Sequence, residues 1–344
     1  MYELAERLVR EGRLSAPEYL ALLTRCDDST LAFLRNEAVR TAQERFGCAI
    51  FVRGLIEIGS ICRNDCLYCG LRRSNRRAER YRLTSQQILS ACEAGYEAGF
   101  RTFVLQGGED PWWNDERLVP LIEEIHRRWP EAALTLSLGE REEASYRRLF
   151  EAGAARYLLR HEAADCALYE KLHPAEMSHA GRLNCIESLK RIGYQTGMGM
   201  MVGAPGQSPE ALVEDILLME RIVPEMIGIG PFLPHHDTPY AGEPAGDLRL
   251  TLLLLAILRL RFPRALIPAT TALATLHPRG RIEGILSGAN VVMPNLSPEQ
   301  VRRKYAIYDG KASTGAEAAE GLRLLARELE TIGYRINFSR GDYQ

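Results

Sequence analysis

The stretch "IFVRGLIEIGSICRNDCLYCG", residues 50–70, decides how the rest of the chain is read. Its first half is β-branched and apolar and closes on Gly59, which predicts a strand over 50–59. Its second half places Cys62, Cys66 and Cys69 in one short loop directly after that strand. The whole chain of 344 residues holds eight cysteines, too few for a disulfide framework, and a reducing compartment leaves them as thiols. The other five (Cys26, Cys48, Cys92, Cys166 and Cys185) stand alone among apolar or helical neighbours and read as small buried hydrophobes.

Outward from this segment a rhythm appears. Strand candidates follow at 102–107, 134–139, 156–162, 195–203, 226–232, 265–271 and 290–295. Between them lie amphipathic helices such as "DERLVPLIEEIHRRW" and "PEALVEDILLMERIV". Eight strands, each followed by a helix, predict an α/β fold, a (βα)8 TIM barrel. Residues 1–47 read as a helical extension, with a capping box at Ser15 to Glu18 and a capping glycine at Gly47. The barrel then spans 48–296, and 297–344 form a segment closing its base or mouth, with a turn at "YDGKAST" and a last helix near 315–332. The apolar run "LTLLLLAILRLRF" is bounded by arginines and too short to span a bilayer, so it reads as a buried helix. The N-terminus has no apolar core of a signal peptide. With a net charge of −2, neither a nucleic-acid surface nor a membrane is expected, and the cytoplasm is the expected compartment.

In a barrel of this kind the chemistry sits at the C-terminal ends of the strands, which is where the three cysteines fall. A structural zinc takes four ligands, and the nearest downstream histidine, His126, lies past another strand. A [4Fe–4S] cubane held by three cysteines leaves one iron open for an exogenous ligand. The spacing, with aromatic Tyr68 just before Cys69, favours the cluster over zinc or chance. The strands are also unusually polar for a parallel barrel, whose strands are normally apolar on both faces. Arg156, Arg160 and Glu162 share one face of the fourth strand at period two, Arg53 and Glu57 one face of the first, and Thr135 and Ser137 one face of the third. Turned outward under helices these charges would be costly. Turned inward they line an anion-binding cavity, or merely pair with one another. "PHHD" (234–237) could suggest a metal trio but reads as loop structure.

Cys-x3-Cys-x-aromatic-Cys after the first barrel strand resembles the motif of the radical S-adenosylmethionine (SAM) superfamily. The resemblance implies one [4Fe–4S] cluster on Cys62, Cys66 and Cys69, with SAM chelated on the open iron and cleaved to methionine and a 5′-deoxyadenosyl radical. It further implies that Tyr68, Gly107, Gly108 and Glu109 lie about the cluster and the methionine end of SAM, and that Met201, in "GMMVG" (199–203), packs on adenine.

The strings "CLYCGLRRSN", "YRLT", "LQGGEDP", "TLSLGE", "RYLLRHE", "GIGPFLPHHDTP", "IPATTA" and "GANVVMPN" together resemble the HydE family of [FeFe]-hydrogenase maturases. That resemblance implies that Ser137 and Glu162 meet the SAM ribose and nearby polar groups and that Arg182 pairs with the SAM carboxylate. Arg160, Gln106 and Tyr305 would line the reacting end of the substrate cavity, with Arg53, Arg156, Thr270 and Thr271 as further substrate-binding residues. The substrate would be a cysteine-bound Fe(CO)2(CN) complex made by HydG, attacked at sulfur and passed toward HydF, with ferredoxin or flavodoxin as electron donor. Some members carry a second cluster on later cysteines. Here none follows Cys185, which predicts a single cluster. The alternatives are methylornithine synthase (PylB), a radical SAM mutase that shares the cysteine motif, and a non-catalytic iron–sulfur carrier.

Overall fold

The structure, a computed structural model, describes residues 1–311 and 318–344. The segment at 50–59 forms two collinear pieces, β1 (Ala49–Val52) and β2 (Gly54–Gly59), broken at Arg53. Next come β3 (Thr102–Gly107), β4 (Ala133–Ser137), β5 (Ala154–Leu158), β6 (Gln195–Met198), β7 (Met201–Val202), β8 (Met226–Ile227), β9 (Gly230–Pro231), β10 (Val291–Val292) and β11 (Arg335–Asn337). All ladders are parallel, in the orders β2-β3-β4-β5-β6-β8, β7-β9 and β10-β1-β11. Single parallel bridges Met226–Leu266, Pro268–Val291 and Leu55–Asn295 close the ring. The result is an eight-membered α/β barrel with helices outside, as the alternating pattern predicts.

Two strands depart from the sequence reading. Residues 265–271 make only single bridges, with Leu266 N bonded to the Glu225 carbonyl and Ala269 N to the Val291 carbonyl, both at 2.9 Å, because Pro268 lacks an N–H. Side chains add to this pairing. Asn290 Oδ1 accepts from Ile267 N at 2.8 Å, and Arg259 donates to the Ala265 carbonyl at 2.8 Å. Arg259 lies wholly inside the apolar helix Leu248–Arg261, with further bonds to the Gly288 carbonyl and Asn290. Burial lowers its pKa to about 9. The second departure is β5, which stops at Leu158. Glu162 has φ +65°, so the left-handed backbone there, not strand alternation, aims its side chain.

The N-terminal helices are Tyr2–Glu11, Ala16–Arg25 and Asp28–Phe46. Glu18 Oε2 accepts from Ser15 N at 2.9 Å, and Gly47 turns the chain at φ +67°. No described helix is long and apolar enough to cross a membrane. The sequence-expected turn at 308–314 falls partly outside the described residues; the last helix begins at Ala318 within them. Of the five isolated cysteines, Cys26 and Cys92 are buried, whereas Cys48 and Cys166 are exposed and Cys185 half-buried. Reading all five as core residues was therefore wrong: a small thiol beside apolar neighbours also fits an exposed helix flank.

The base of the barrel is closed by the segment that follows β11. Arg156, fully buried, donates to the carbonyls of Arg340 (2.9 Å) and Gly341 (3.0 Å) and to Asp342 Oδ1 (2.7 Å). Gln195 reaches the same carboxylate at 3.1 Å. Burial opposes ionisation of Asp342, but the hydrogen bond and charge of Arg156 prevail and lower its pKa. A lowered folded-state pKa adds stability above the ordinary carboxyl range that is lost as pH falls through it. Asp342→Asn is expected to destabilise the protein by about 2 kcal/mol at neutral pH, since it strips a buried cation of its counter-ion. Urea unfolding from pH 7 down to 3 checks this, and the gap between variant and wild type should narrow at the acid end.

Candidate active site at the mouth of the barrel

The cysteine loop is a closed knot on the end of β2. Its neck is fastened where Ser60 N meets the Tyr81 carbonyl at 3.1 Å and Ser60 Oγ accepts from Tyr81 N at 2.9 Å. Arg80 fills the centre of the loop, donating to the carbonyls of Ser60, Leu71, Arg72 and Asn75 at 2.6–3.1 Å. Asp65 accepts from Arg72 Nε and from Ser74 N and Oγ, and these bonds hold its carboxyl well below the usual range. Two of the surrounding arginines, Arg72 and Arg80, thus serve to build the loop.

Two glycines let the loop sit where it does. A Cβ on Gly108 would lie 2.4 Å from the Ile61 carbonyl and 2.7 Å from Cys62 Cβ. One on Gly70 would lie 2.2 Å from the Ala306 carbonyl. Both contacts involve backbone and cannot be relieved by a rotamer change. Gly108→Ala is accordingly expected to displace Cys62 and cut cluster occupancy by at least about half, read as iron per chain after anaerobic reconstitution, while Gly107→Ala, whose nearest contacts are 3.3–3.6 Å, should do less.

Burial pushes all three thiols up: Cys69 to about 12, and Cys66 well above its ordinary value, with the neighbouring Cys69 and Cys62 adding to the effect. Three sulfurs so placed become thiolates when a cation balances them. Among the described residues, the set whose ligand atoms gather within 4.8 Å is His235, His236 and Asp309, not the cysteines. A single zinc with bonds of 2.3 Å would draw its sulfurs to about 3.8 Å. The wider spread suits a cubane, whose irons each take one sulfur.

Of the residues expected about SAM, Glu109, Arg182, Tyr68, Met201 and Glu162 lie around this loop. Glu109, at the end of β3, accepts from Arg63 Nε at 3.1 Å and from Glu140 N at 2.9 Å. Arg182, buried on helix His179–Ile192, donates to Glu140 Oε1 at 2.5 Å and to the Arg160 carbonyl at 2.7 Å. Tyr68 and Met201 belong to one apolar cluster with Met177, Tyr169 and Phe232. Tyr68 stands edge-on to His173, at 5.6 Å between rings, and Met177 Sδ lies 3.7 Å from Cys66 Sγ. Glu162 accepts from Arg160 Nη2 at 2.8 Å and adds its charge to those acting on Cys66, Cys69 and Tyr68. Burial lowers the pKa of His173 to about 4, leaving a neutral ring beside the apolar wall.

Below the cysteine loop lies the polar interior. Glu57, Gln106 and Ser137 are in register on β2, β3 and β4 and form one layer. Gln106 Nε2 meets Tyr305 Oη at 3.4 Å. Thr270 precedes helix Thr271–Leu276 and leaves a buried Oγ1 without a hydrogen-bond partner among the described residues. Arg53 donates to Met226 Sδ at 3.0 Å, while its Nε and Nη2 are buried and unpartnered. Its charge is disfavoured by burial first and by Arg156 second. Sequence alternation placed Arg156 and Arg160 on one face of one strand, but they are not at one level. Arg156 lies within β5 and faces the base, whereas Arg160 lies two residues beyond the end of β5, at the mouth.

Sequence reading missed several participants. Glu140 holds Arg182, and Lys311 pairs with the Glu57 carboxylate inside the barrel. Neither carries a pattern: one ends a "SLGE" string and the other is a lone lysine on a turn. The "PHHD" loop does gather near a carboxylate, with His236 Nδ1 2.7 Å from Asp309 Oδ1. His235 Nδ1, however, accepts from Asp237 N at 3.1 Å, so its neutral ring keeps the proton on Nε2 and is not disposed to bind a metal there. The expected loop-structure role fits.

Comparison with known proteins agrees with this geometry. The Radical SAM superfamily model matches residues 56–219. The chain is 40% identical over 333 residues to the [FeFe] hydrogenase maturase subunit HydE of Thermotoga maritima, covering 96% of this chain and 94% of that protein. It is 29% identical over 330 residues to 3-methylornithine synthase of Methanosarcina acetivorans, covering 95% and 92%. Among solved structures, methylornithine synthase (PylB) superposes with a TM-score of 0.83 at 27% identity over 97% of both chains. A half-buried three-cysteine loop at the mouth of a barrel with a polar interior, together with this extent of identity, makes the chain a member of the HydE family of the radical SAM superfamily, an enzyme working with a [4Fe–4S] cluster and SAM.

Proposed function

We propose that the enzyme performs the HydE step of hydrogenase maturation, acting on the sulfur of a cysteine-bound Fe(CO)2(CN) precursor supplied by a HydG-type partner and destined for a HydF-type scaffold. The cluster with SAM supplies a 5′-deoxyadenosyl radical. The residues of the chain do the rest. Cys62, Cys66 and Cys69 would hold three irons. Glu109 and Arg182 would meet the amino and carboxylate ends of the methionine portion, Glu162 and Ser137 the ribose, and Tyr68 and Met201 would exclude water on the apolar side.

The observation that carries the substrate reading is a set of buried polar atoms without partners among the described residues: Arg53 Nε and Nη2, Thr135 Oγ1, Arg160 Nε and Thr270 Oγ1. Leaving such donors unmet in a protein interior costs about 1–3 kcal/mol each, so they suit an anionic, multiply accepting ligand. Arg160 would take a carboxylate near the mouth, with Gln106, Tyr305 and Thr271 around the reacting sulfur. Arg53 and the free Nε of Arg156 would form a deeper anion site at the base. We place the reaction in the cytoplasm, with an external one-electron donor such as ferredoxin or flavodoxin.

The mutase reading keeps two supports, the superposition with methylornithine synthase and the 29% identity to it over 95% of the chain. Coupled turnover separates the two readings. Given HydG product, dithionite and SAM, the enzyme is expected to yield an adenosylated cysteine product and to leave lysine untouched. Conversion of lysine to methylornithine, with no reaction on the iron complex, would overturn the assignment.

A further inference from the structure

Glu57 has no exposure to solvent, yet it points into the barrel in the same layer as Gln106 and Ser137. Its two carboxylate oxygens are taken by different elements. Asn295 Nδ2 donates to Oε2 at 2.9 Å, and Lys311 Nζ pairs with Oε1. The lysine is itself enclosed. Its Nζ donates to the Tyr305 carbonyl at 3.1 Å, stands 4.6 Å over the Tyr305 ring, and its side chain is 13% exposed. A carboxylate, a carbonyl and an aromatic face together form a receptor for an ammonium group. The chain fills this receptor with its own lysine.

The consequence is electrostatic. A buried carboxylate without a counter-ion repels any anion brought into the same low-dielectric chamber. With Lys311 in place, the negative charge of Glu57 is cancelled. Arg156 and Arg160 are paired with Asp342 and Glu162, so Arg53, which has no ion pair among the described residues, sets the sign of the cavity. Lys311 comes from the segment after the barrel, not from a strand. We propose that Lys311 is a specificity-determining residue: by occupying the ammonium receptor at Glu57 it commits the cavity to an anionic, carboxylate-bearing substrate, and the same barrel with Glu57 free would favour an amine. The proposal rests on the reading that the barrel interior is the substrate site, but not on the identity of the iron complex.

The test uses holoenzyme with SAM bound and two thiols matched in size, 3-mercaptopropionate, which carries a carboxylate, and cysteamine, which carries an ammonium. Dissociation constants are measured by equilibrium dialysis. Wild type and Lys311→Arg are expected to prefer the carboxylate. In Lys311→Met, binding of 3-mercaptopropionate should weaken about tenfold or more and cysteamine should tighten, so that the preference inverts. The double variant Glu57→Gln/Lys311→Met removes both charges and is expected to return to within about threefold of wild type, a coupling that loss of packing alone would not produce. If Lys311→Met fails to hold its cluster, Glu57→Gln alone decides: with Lys311 left uncompensated, 3-mercaptopropionate should bind more tightly and cysteamine more weakly. An unchanged ratio in Lys311→Met or in Glu57→Gln, or a double variant no better than Lys311→Met, overturns the proposal. An inverted ratio in an enzyme that ignores the HydG product would leave the role of Lys311 standing and remove the maturase reading.

Discussion

Replacing Cys66 by alanine is expected to abolish 5′-deoxyadenosine formation, by about 10³-fold or more, together with the brown absorbance of the reconstituted protein. Cys66 is the middle ligand of the loop, it lies against Met177 on the apolar wall, and it faces the charges of both other cysteines and of Glu162. Losing it leaves two sulfurs for a cluster that needs three protein ligands and one open iron. The knot around Arg80 and Asp65 does not depend on this side chain, so the variant is expected to fold, with a far-ultraviolet circular dichroism spectrum like that of wild type. Retained SAM cleavage with normal iron content would refute the cluster assignment.

Arg160→Ala is expected to separate two activities that wild type performs together. Coupled turnover of the iron-bound cysteine should fall about 10²-fold, the scale of losing one charged, desolvated contact to substrate. Uncoupled SAM cleavage should fall less, within about tenfold, because the main-chain carbonyl that Arg182 uses at residue 160 survives the substitution. Some loss is expected even there, since Glu162 gives up its partner at 2.8 Å. Measuring 5′-deoxyadenosine with and without substrate gives the split directly. Equal losses in both would move Arg160 into the SAM pocket and out of the substrate site.

The barrel was legible because period-two and period-3.6 patterns are local properties, and because the cysteine loop marks one strand end unambiguously. What escaped was long-range. Residues 265–271 read as a strand from their composition, but with Pro268 they make only single bridges, supported by side-chain bonds from Arg259 and Asn290 that local composition does not reveal. Glu162 was assigned to a face by alternation that a single positive φ cancels. Arg156 and Arg160 look equivalent along the strand, yet one meets the segment at 340–342 and the other the mouth. Lys311 could not be found at all from its neighbours, because the reason for it is Glu57, 254 positions away. Local chemistry located the cofactor. Tertiary contacts decide what the cavity accepts.

The central claim is that three cysteine sulfurs hold an iron cube with one corner free for SAM. Electron paramagnetic resonance of the reduced, anaerobically reconstituted protein, recorded with and without SAM and paired with metal and sulfide analysis, tests it most directly. About four irons and four sulfides per chain, with a signal that shifts when SAM is added, are expected. Bound zinc in place of iron, or a spectrum indifferent to SAM, would contradict the account.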